Sequence, residues 1–530
     1  MKNDYAILAI DLGTSGAKVS LVRLDGLCLD WTLEKVPVIL AGTGGAEQDA
    51  DNWWRAISAA ATRLISKNII SRDRIIAICT SSMGEETIPV GRDGNPLMNA
   101  MTWMDQRGAE VIREQLSGCI NHLGIGYSIQ NILKWIRFTG GVPSPSGKDP
   151  AGHITYIRKK LPEIYEKTYK FLNSPDFINL RLTGEFVASY DSIMPLWVTD
   201  NRNLDNIQYH SGLLETLGLD REKLPDIVPA TAVIGKLLPQ VAEKWGLSEN
   251  VKVVAGSVDI IAAAIGGGAV QDFDPCLTLG TSLNIAAHVP FKKTDVINNM
   301  ASFPSAVMGK YILMNNQTTA GGNLSFIANN IVYHKDELLQ EEQKPDLYKV
   351  FDKVVQGVPP GSNGLLYTPW LFGERSPVDD HFLRGGIHNI SLHNNREDVV
   401  RSMFEGVALN ARWLLEGVDK FLGRKSTSIR MAGGGAASDV WCQIFADILD
   451  RRILQVDDPI KANTRGAAFI GAVGIGELDF EEAAKRVKVR TVYEPDNANR
   501  QLYDERYGLF RQFYKKTKGI YQQLNRHQST

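Results

Sequence analysis

The stretch Ile10-Asp11-Leu12-Gly13-Thr14-Ser15-Gly16-Ala17-Lys18 decides the fold when it is read with a second one, Leu277-Thr278-Leu279-Gly280-Thr281-Ser282. Each sets Leu-Gly-Thr-Ser after an apolar, strand-like run and before another. Tyr5–Ile10 is apolar, Asp11–Gly16 breaks the run, and Ala17–Arg23 resumes it before Leu24-Asp25-Gly26. That pattern predicts a hairpin or meander whose first turn is built from Gly, Thr and Ser. Four shared residues are weak on their own. The shared strand–turn–strand context is what suggests two related halves facing each other.

Working outward, strand and helix signals alternate along the chain, which favours an α/β architecture. Trp53–Lys67 reads as a helix and Arg74–Ser81 as a strand. Gly140–Asp149, rich in Pro, Gly and Ser, reads as a surface loop. The halves divide near Val251–Ser257, giving a first domain over 1–254, a second over 255–485 and a helical tail over 486–530. Tyr503, Tyr507, Phe510 and Tyr514 recur at helical spacing in that tail and predict an amphipathic helix docked on a domain.

The 530 residues suit two or three domains, and 44% hydrophobic with 22% charged residues is ordinary for a soluble globular chain. A formal net charge of −2 gives no reason to expect nucleic-acid or membrane-surface binding. The five cysteines, Cys28, Cys79, Cys119, Cys276 and Cys442, form no CxxC pair, which argues against a sequence-local zinc site and a disulfide framework. The apolar run at the N-terminus is short and closed by Asp11, so no signal peptide is expected. Val251–Val270 is interrupted by Lys252, Ser257 and Asp259 and makes a poor membrane span. A cytoplasmic protein is the expectation.

Gly-Thr-Ser-Gly turns suit phosphate binding, because glycines admit a phosphate close to the backbone while N–H groups and the Thr14 and Ser15 hydroxyls donate to it. An ordinary hairpin turn is the bland alternative for either block alone. No GxxxxGK[ST] motif is present, which disfavours a P-loop NTPase. Asp11 and Asp259 both end apolar runs, where a charge needs a metal, a donor or cleft water. Such a pair at equivalent ends of two halves points to a shared cleft. Ser428–Ser438 reads as strand, then Gly433-Gly434-Gly435, then a helix from Asp439 capped by Ser438. Arg465-Gly466-Ala467-Ala468 and Gly471-Ala472 predict a small-residue helix packed tightly on a neighbour.

These residues resemble the FGGY carbohydrate kinases over nearly the whole chain, most closely the xylulokinase-like members. The resemblance rests on Ile10–Lys18, Lys170–Phe186, Val253–Asp259 with Leu277–Ser282, Thr368–Arg384 and Gly433–Asp447, in that order. It implies two ribonuclease H-like domains of the actin/hexokinase type with a cleft between them, using ATP and Mg²⁺. Asp259 would be the general base and Asp11 the Mg²⁺ residue. Gly13, Thr14, Ser15, Lys18, Gly280 and Thr281 would hold the phosphates, and Gly434, Gly435 and Ala436 the adenosine.

In the sugar loop, where xylulokinases usually show Gln-Met-His-Gly, the corresponding stretch is Ser81-Ser82-Met83-Gly84-Glu85-Glu86-Thr87. Met83 matches, the His is absent, and Glu85 sits nearer the Glu of glycerol kinases. Trp103-Met104-Asp105-Gln106-Arg107 resembles both xylulokinase and glycerol kinase patterns. Met83, Glu85, Trp103, Asp105 and Asp259 are therefore the expected substrate residues. Core packing for Trp103 and a surface salt bridge for Asp105 with Arg107 are the alternatives. His153 and His288 read as structural.

The expected activity is phosphorylation of a small sugar or polyol, D-xylulose first, with L-ribulose, glycerol, erythritol and gluconate open. An ATP-driven switch on the same fold is the competing reading. The expected partner is the small-molecule sugar alone, without nucleic acid or membrane, and a homodimer is left open.

Overall fold

The computed structural model describes residues 4–526 except 43, 123, 329 and 331–346. The first hairpin forms as the sequence predicts. Strand β1 (Ala6–Gly13) pairs antiparallel with β2 (Gly16–Arg23), and Gly13 opposes Gly16 across the turn. The same register sets Asp11 opposite Lys18. With β3 (Cys28–Lys35), β4 (Ile75–Ser82), β5 (Val233–Lys236) and β6 (Lys252–Val258) the hairpin builds a six-stranded sheet in the order β5-β6-β4-β1-β2-β3. Strands β1, β4 and β6 run parallel. The division at residue 254 falls inside β6, all of which belongs to this first sheet.

The second sheet repeats the plan. Strands β7 (Pro275–Leu279) and β8 (Leu283–Val289) form the second hairpin, turning at Gly280–Ser282. They are joined by β9 (Thr294–Asp295), β10 (Met300–Pro304), β11 (Tyr311–Met314), β12 (Ser428–Ala432), β13 (Arg452–Val456) and β14 (Val489–Tyr493), in the order β9-β10-β11-β8-β7-β12-β13-β14. The run β3-β2-β1-β4-β6 in one sheet thus corresponds to β11-β8-β7-β12-β13 in the other, three antiparallel strands followed by two parallel ones. That is the ribonuclease H-like plan, present twice.

Helix α1 (Ala50–Ser66) covers the first sheet, with Trp53, Ile57, Ala60 and Leu64 buried. Its Asp49 cap accepts from the Asp51 N–H. Helix α2 (Ser174–Thr183) begins in a capping box of Asn173 with Asp176 and ends at left-handed Gly184. Helix α3 (Asp259–Gly266) leaves β6. The long α4 (Arg396–Leu422) and α5 (Asp439–Leu449) pack together over the second sheet, and Ser438 caps α5 by accepting from the Trp441 N–H.

Helix α6 (Ala462–Gly474) is the small-residue helix the sequence predicts, and its neighbour is α3. A Cβ on Gly466 would lie 1.8 Å from the Ala262 carbonyl oxygen, and one on Gly266 would lie 1.8 Å from that of Ala462. Glycine at both places brings the two backbones into direct contact. Helix α3 follows the first sheet yet touches β7 and β8, whereas α6 follows the second sheet yet packs on β1 and β4. One buried cluster, including Ile7, Ala9, Cys79, Ile261, Ala286 and Phe469, therefore joins the two halves beneath the cleft.

Two expectations need correction. Gly140–Asp149 is not a surface loop, since each of its residues is buried or half-buried. The Gly140 carbonyl accepts from the Thr294 hydroxyl at 2.6 Å, and the Trp197 indole donates to Asp149 at 2.7 Å, so the loop is clamped between the halves. The tail is not helical throughout: β14 pairs with β13 at the sheet edge, and a 3-10 turn at Asn497–Asn499 leads into the long α7 (Arg500–Asn525). In α7 the predicted face is seated: Tyr503, Tyr507 and Phe510 are buried, and Tyr514 meets Trp370 and Trp413. Among the described residues no helix is long and apolar enough to cross a membrane.

Candidate active site

Register brings the acids together. Across the parallel strands Asp11 sits beside Ser81, and Ser81 beside Ser257. Asp259, two residues further along, is thus delivered to the same strand ends as Asp11. Carboxyl ends of parallel strands are where α/β folds bind ligands. Among the described residues, the Asp11 carboxylate is reached by long contacts: Lys18 Nζ at 3.5 Å, Ser81 Oγ at 3.3 Å and Asn463 Nδ2 at 3.4 Å. Asn463 comes from the start of α6, so both halves contribute.

Asp259 is half-buried as the first residue of α3. Burial, and next the charge of Asp11, push its carboxyl up to about 7, with Glu85 adding to the rise. A carboxyl near 7 is suited to exchanging a proton at neutral pH. Glu86, fully buried, is pushed well above its ordinary value by burial, and its carboxyl lies 3.1 Å from the Ser174 hydroxyl oxygen.

The glycine turns line the same cleft. Thr14 and Ser15 stand at the tip of the first hairpin, half-buried and exposed respectively, and Thr281 is exposed at the tip of the second. The Thr281 carbonyl accepts from Ala320 N–H at 2.7 Å, which holds the second turn against a neighbouring loop. Gly433, at φ +89°, lies on Leu279, where a Cβ would come 2.6 Å from the carbonyl oxygen. This close approach seats the triple-glycine turn directly beside the second hairpin. Gly434 is exposed and has no atom near its missing Cβ.

Beside the first turn the Trp103 indole donates to the Thr14 hydroxyl at 3.0 Å. A residue expected to touch sugar and one expected to touch phosphate are thus joined by one hydrogen bond. Glu85 adopts a left-handed backbone, φ +71°, uncommon for a residue with a side chain. Its carboxylate meets Arg375 of the second half at 3.2 Å, across the cleft. Arg375 is itself placed by buried Glu374, whose carboxylate accepts from the Arg375 N–H at 2.9 Å and from Asn410 at 2.6 Å.

With two such halves and facing acids in place, comparison with known proteins is decisive. The N-terminal domain model of the FGGY family of carbohydrate kinases matches residues 6–266 and the C-terminal domain model matches 277–475. The chain belongs to the FGGY family of carbohydrate kinases. It is 27% identical over 522 residues to the xylulose kinase of Bacillus subtilis (strain 168), covering 97% of each chain. It is 25% identical over 486 residues to the gluconokinase of the same organism, covering 90% of this chain and 89% of that one. The solved xylulose kinase of Lactobacillus acidophilus superposes with a TM-score of 0.83 at 23% identity, over 98% of this chain and 100% of that one. Family membership makes this chain an ATP-dependent sugar kinase.

Within this FGGY kinase, three expected site residues are placed elsewhere than the sequence suggests. Asp105 is fully buried, and both its oxygens are engaged by Arg107, with the Ala46 N–H also donating at 3.0 Å. Arg107 continues to Glu47 at 2.6 Å. The pair is a buried brace for the Trp103 loop rather than a surface salt bridge, and it leaves Asp105 no free acceptor for a sugar. Met83 is 4% exposed and packs in the first core, its carbonyl accepting from Ser174 Oγ at 2.7 Å. Ala436 is completely buried, its carbonyl held by Gln455 at 2.8 Å, so Gly434 and Gly435 are the accessible part of that turn. Arg375 lies within the Thr368–Arg384 stretch and Glu86 beside the sugar loop, but nothing local marks either of them or Asn463 individually, because their partners lie far away in sequence. His153 and His288 are buried and structural, the first held by Thr87 and the Asp105 carbonyl, the second by Ala269 and Ser305.

Proposed function

We propose that this FGGY kinase transfers the γ-phosphoryl group of ATP to a hydroxyl of a ketopentose, D-xylulose first, with Asp259 as general base. The observation that carries this reading is the pair Asp11 and Asp259 at the same ends of β1 and β6, on either side of β4, with Asp259 raised to about 7 in the cleft. The sugar hydroxyl gives its proton to Asp259 as its oxygen bonds to the γ-phosphorus; the bond from that phosphorus to the bridging oxygen breaks, and ADP leaves. Glu85 and Trp103 are the sugar-facing side chains. Thr14, Ser15, Thr281, Gly13 and Gly280 bind phosphate, and Gly434 with Gly435 receive the nucleoside.

Asp11 is the residue that fits Mg²⁺. Hard cations of this kind keep most of their water and take one or two carboxylates beside the phosphates. The Asp11 oxygens, whose side-chain partners among the described residues stand at 3.3–3.5 Å, have capacity for such a ligand. Bound there, the cation would offset phosphate charge. Lys18, on the same side, would share that work.

A coupled ADP-release assay with Mg-ATP across ketopentoses, polyols and aldonic acids tests the reading. A dominant response to D-xylulose supports it. A dominant response to gluconate, which the gluconokinase relatives favour, would keep the mechanism and replace the substrate. Tight ATP binding with no sugar-stimulated turnover would favour the switch reading.

A further inference from the structure

Strand β6 does not run straight into Asp259. Its register against β4 slips between Val254 and Ser257, and Gly256 stands at φ +77° with its missing Cβ only 2.0 Å from the Thr80 carbonyl oxygen. A bulge of this kind bends a strand and re-aims the residues that follow it. The bulge is held by side chains from outside the strand. Asn179 of α2 donates to the Ala255 carbonyl at 2.7 Å. Asp191, 1% exposed, accepts from the Val258 N–H at 3.0 Å and from the Ser257 hydroxyl. Those two donors are the last groups before Asp259.

The same buried turn also reaches the sugar loop. Ser192, next to Asp191, donates to Asp176 at 2.7 Å, and its carbonyl accepts from Asn173 at 2.9 Å. Asn173 in turn accepts from the Glu86 N–H at 3.1 Å, beside Glu85. Buried hydrogen bonds through Asn173 to Ser192, and the chain itself from Ser192 to Asp191, therefore link the sugar loop to the backbone that carries Asp259.

We propose that Asp191 is the positioning residue for the general base: by holding Ser257 and Val258 it fixes the direction in which α3 presents Asp259 to the sugar hydroxyl. This rests on Asp259 being that base. Proton transfer concerted with phosphoryl transfer needs the carboxylate within hydrogen-bond reach of the attacking oxygen. A displacement of about 1 Å costs on the order of 10²-fold in rate. Asp191 contributes no proton and meets no substrate, so its loss acts on kcat and leaves ground-state binding in place.

The test compares Asp191→Ala, Asp191→Asn, Ser257→Ala and Asp259→Asn in the full chain, with circular dichroism to establish folding. Asp191→Ala should lower kcat by roughly 10- to 100-fold, with KM for sugar and ATP within about threefold of wild type. Asp191→Asn keeps a carbonyl oxygen in the place of Oδ2, the atom that accepts from both the Val258 N–H and the Ser257 hydroxyl, and should recover kcat to within about threefold of wild type. Should Asp191→Ala not fold, Ser257→Ala decides: it removes one of the two holds and should cost kcat roughly 3- to 10-fold at unchanged KM. Wild-type kcat in a folded Asp191→Ala or in Ser257→Ala, or Asp191→Asn as slow as Asp191→Ala, overturns the proposal. If Asp259→Asn is inactive while the Asp191 and Ser257 variants are not, the general base stands and only the positioning role falls. If Asp259→Asn is itself active, the general-base reading falls first.

Discussion

Replacing Asp259 by Asn should damage activity and strengthen the fold, and both effects follow from the same burial. The folded protein lifts this carboxyl from 3.8 to about 7. Between those values the folded chain binds more protons at this site than the unfolded chain, so stability falls as pH rises through about 4 to 7. Above pH 7 the whole penalty is present, and below about 4 it is absent. At 1.36 kcal/mol per pH unit the full displacement amounts to about 4 kcal/mol. Asp259 is only half-buried and faces cleft water, so a realised gain of about 1–2 kcal/mol for the Asn variant is the expectation. Without nucleotide or divalent cation, the variant's Tm at pH 8 should exceed that of wild type by about 1–3 °C, and the difference should vanish near pH 4. In the same preparation sugar-dependent ADP release should fall by roughly 10²–10⁴-fold, because general-base assistance is worth that much. ATP affinity by calorimetry should stay within about threefold. A variant that keeps a tenth of wild-type turnover, or whose Tm matches wild type at both pH values, refutes the reasoning.

Three other substitutions probe the frame around the site. Gly466→Ala should destabilise by about 3 kcal/mol or more, seen as a lower denaturant midpoint, because its Cβ would sit 1.8 Å from the Ala262 oxygen; Gly508→Ala, in open space on α7, should instead stabilise by about 0.5–1 kcal/mol. Arg107→Ala strands the buried Asp105 carboxylate and should cost about 3–5 kcal/mol in chemical denaturation. If Asp105 met sugar directly, Asp105→Asn would instead raise sugar KM with the melting curve unmoved. Glu85→Gln removes the ionic component of its 3.2 Å bridge to Arg375 and should raise sugar KM about tenfold at unchanged ATP KM; a change confined to ATP KM would take Glu85 off the sugar wall.

How much was legible in the sequence depends on the range of the interactions involved. The two hairpins, α1, β4, the Ser438 cap and the small-residue α6 all show themselves through local periodicity and turn chemistry, and each is present. The amphipathic α7 was readable in the same way. The strand Val489–Tyr493 was not, because its place at a sheet edge is set by β13 rather than by its own pattern. Gly140–Asp149 has the composition of an exposed loop, yet its residues are half-buried or buried, and the second half holds it through Thr294.

The sequence by itself determined the repeated hairpin, the family and the acids that end strands, since those depend on residues adjacent along the chain. Only the tertiary structure decided which side chains are free to act. It sealed Asp105 against Arg107, sank Met83 and Ala436 into cores, and brought Arg375 to Glu85 and Asn463 to Asp11 across hundreds of residues. The physical reason is that a carboxylate's availability is fixed by its nearest donors and its access to water. Both are properties of packed neighbours and not of the local chain.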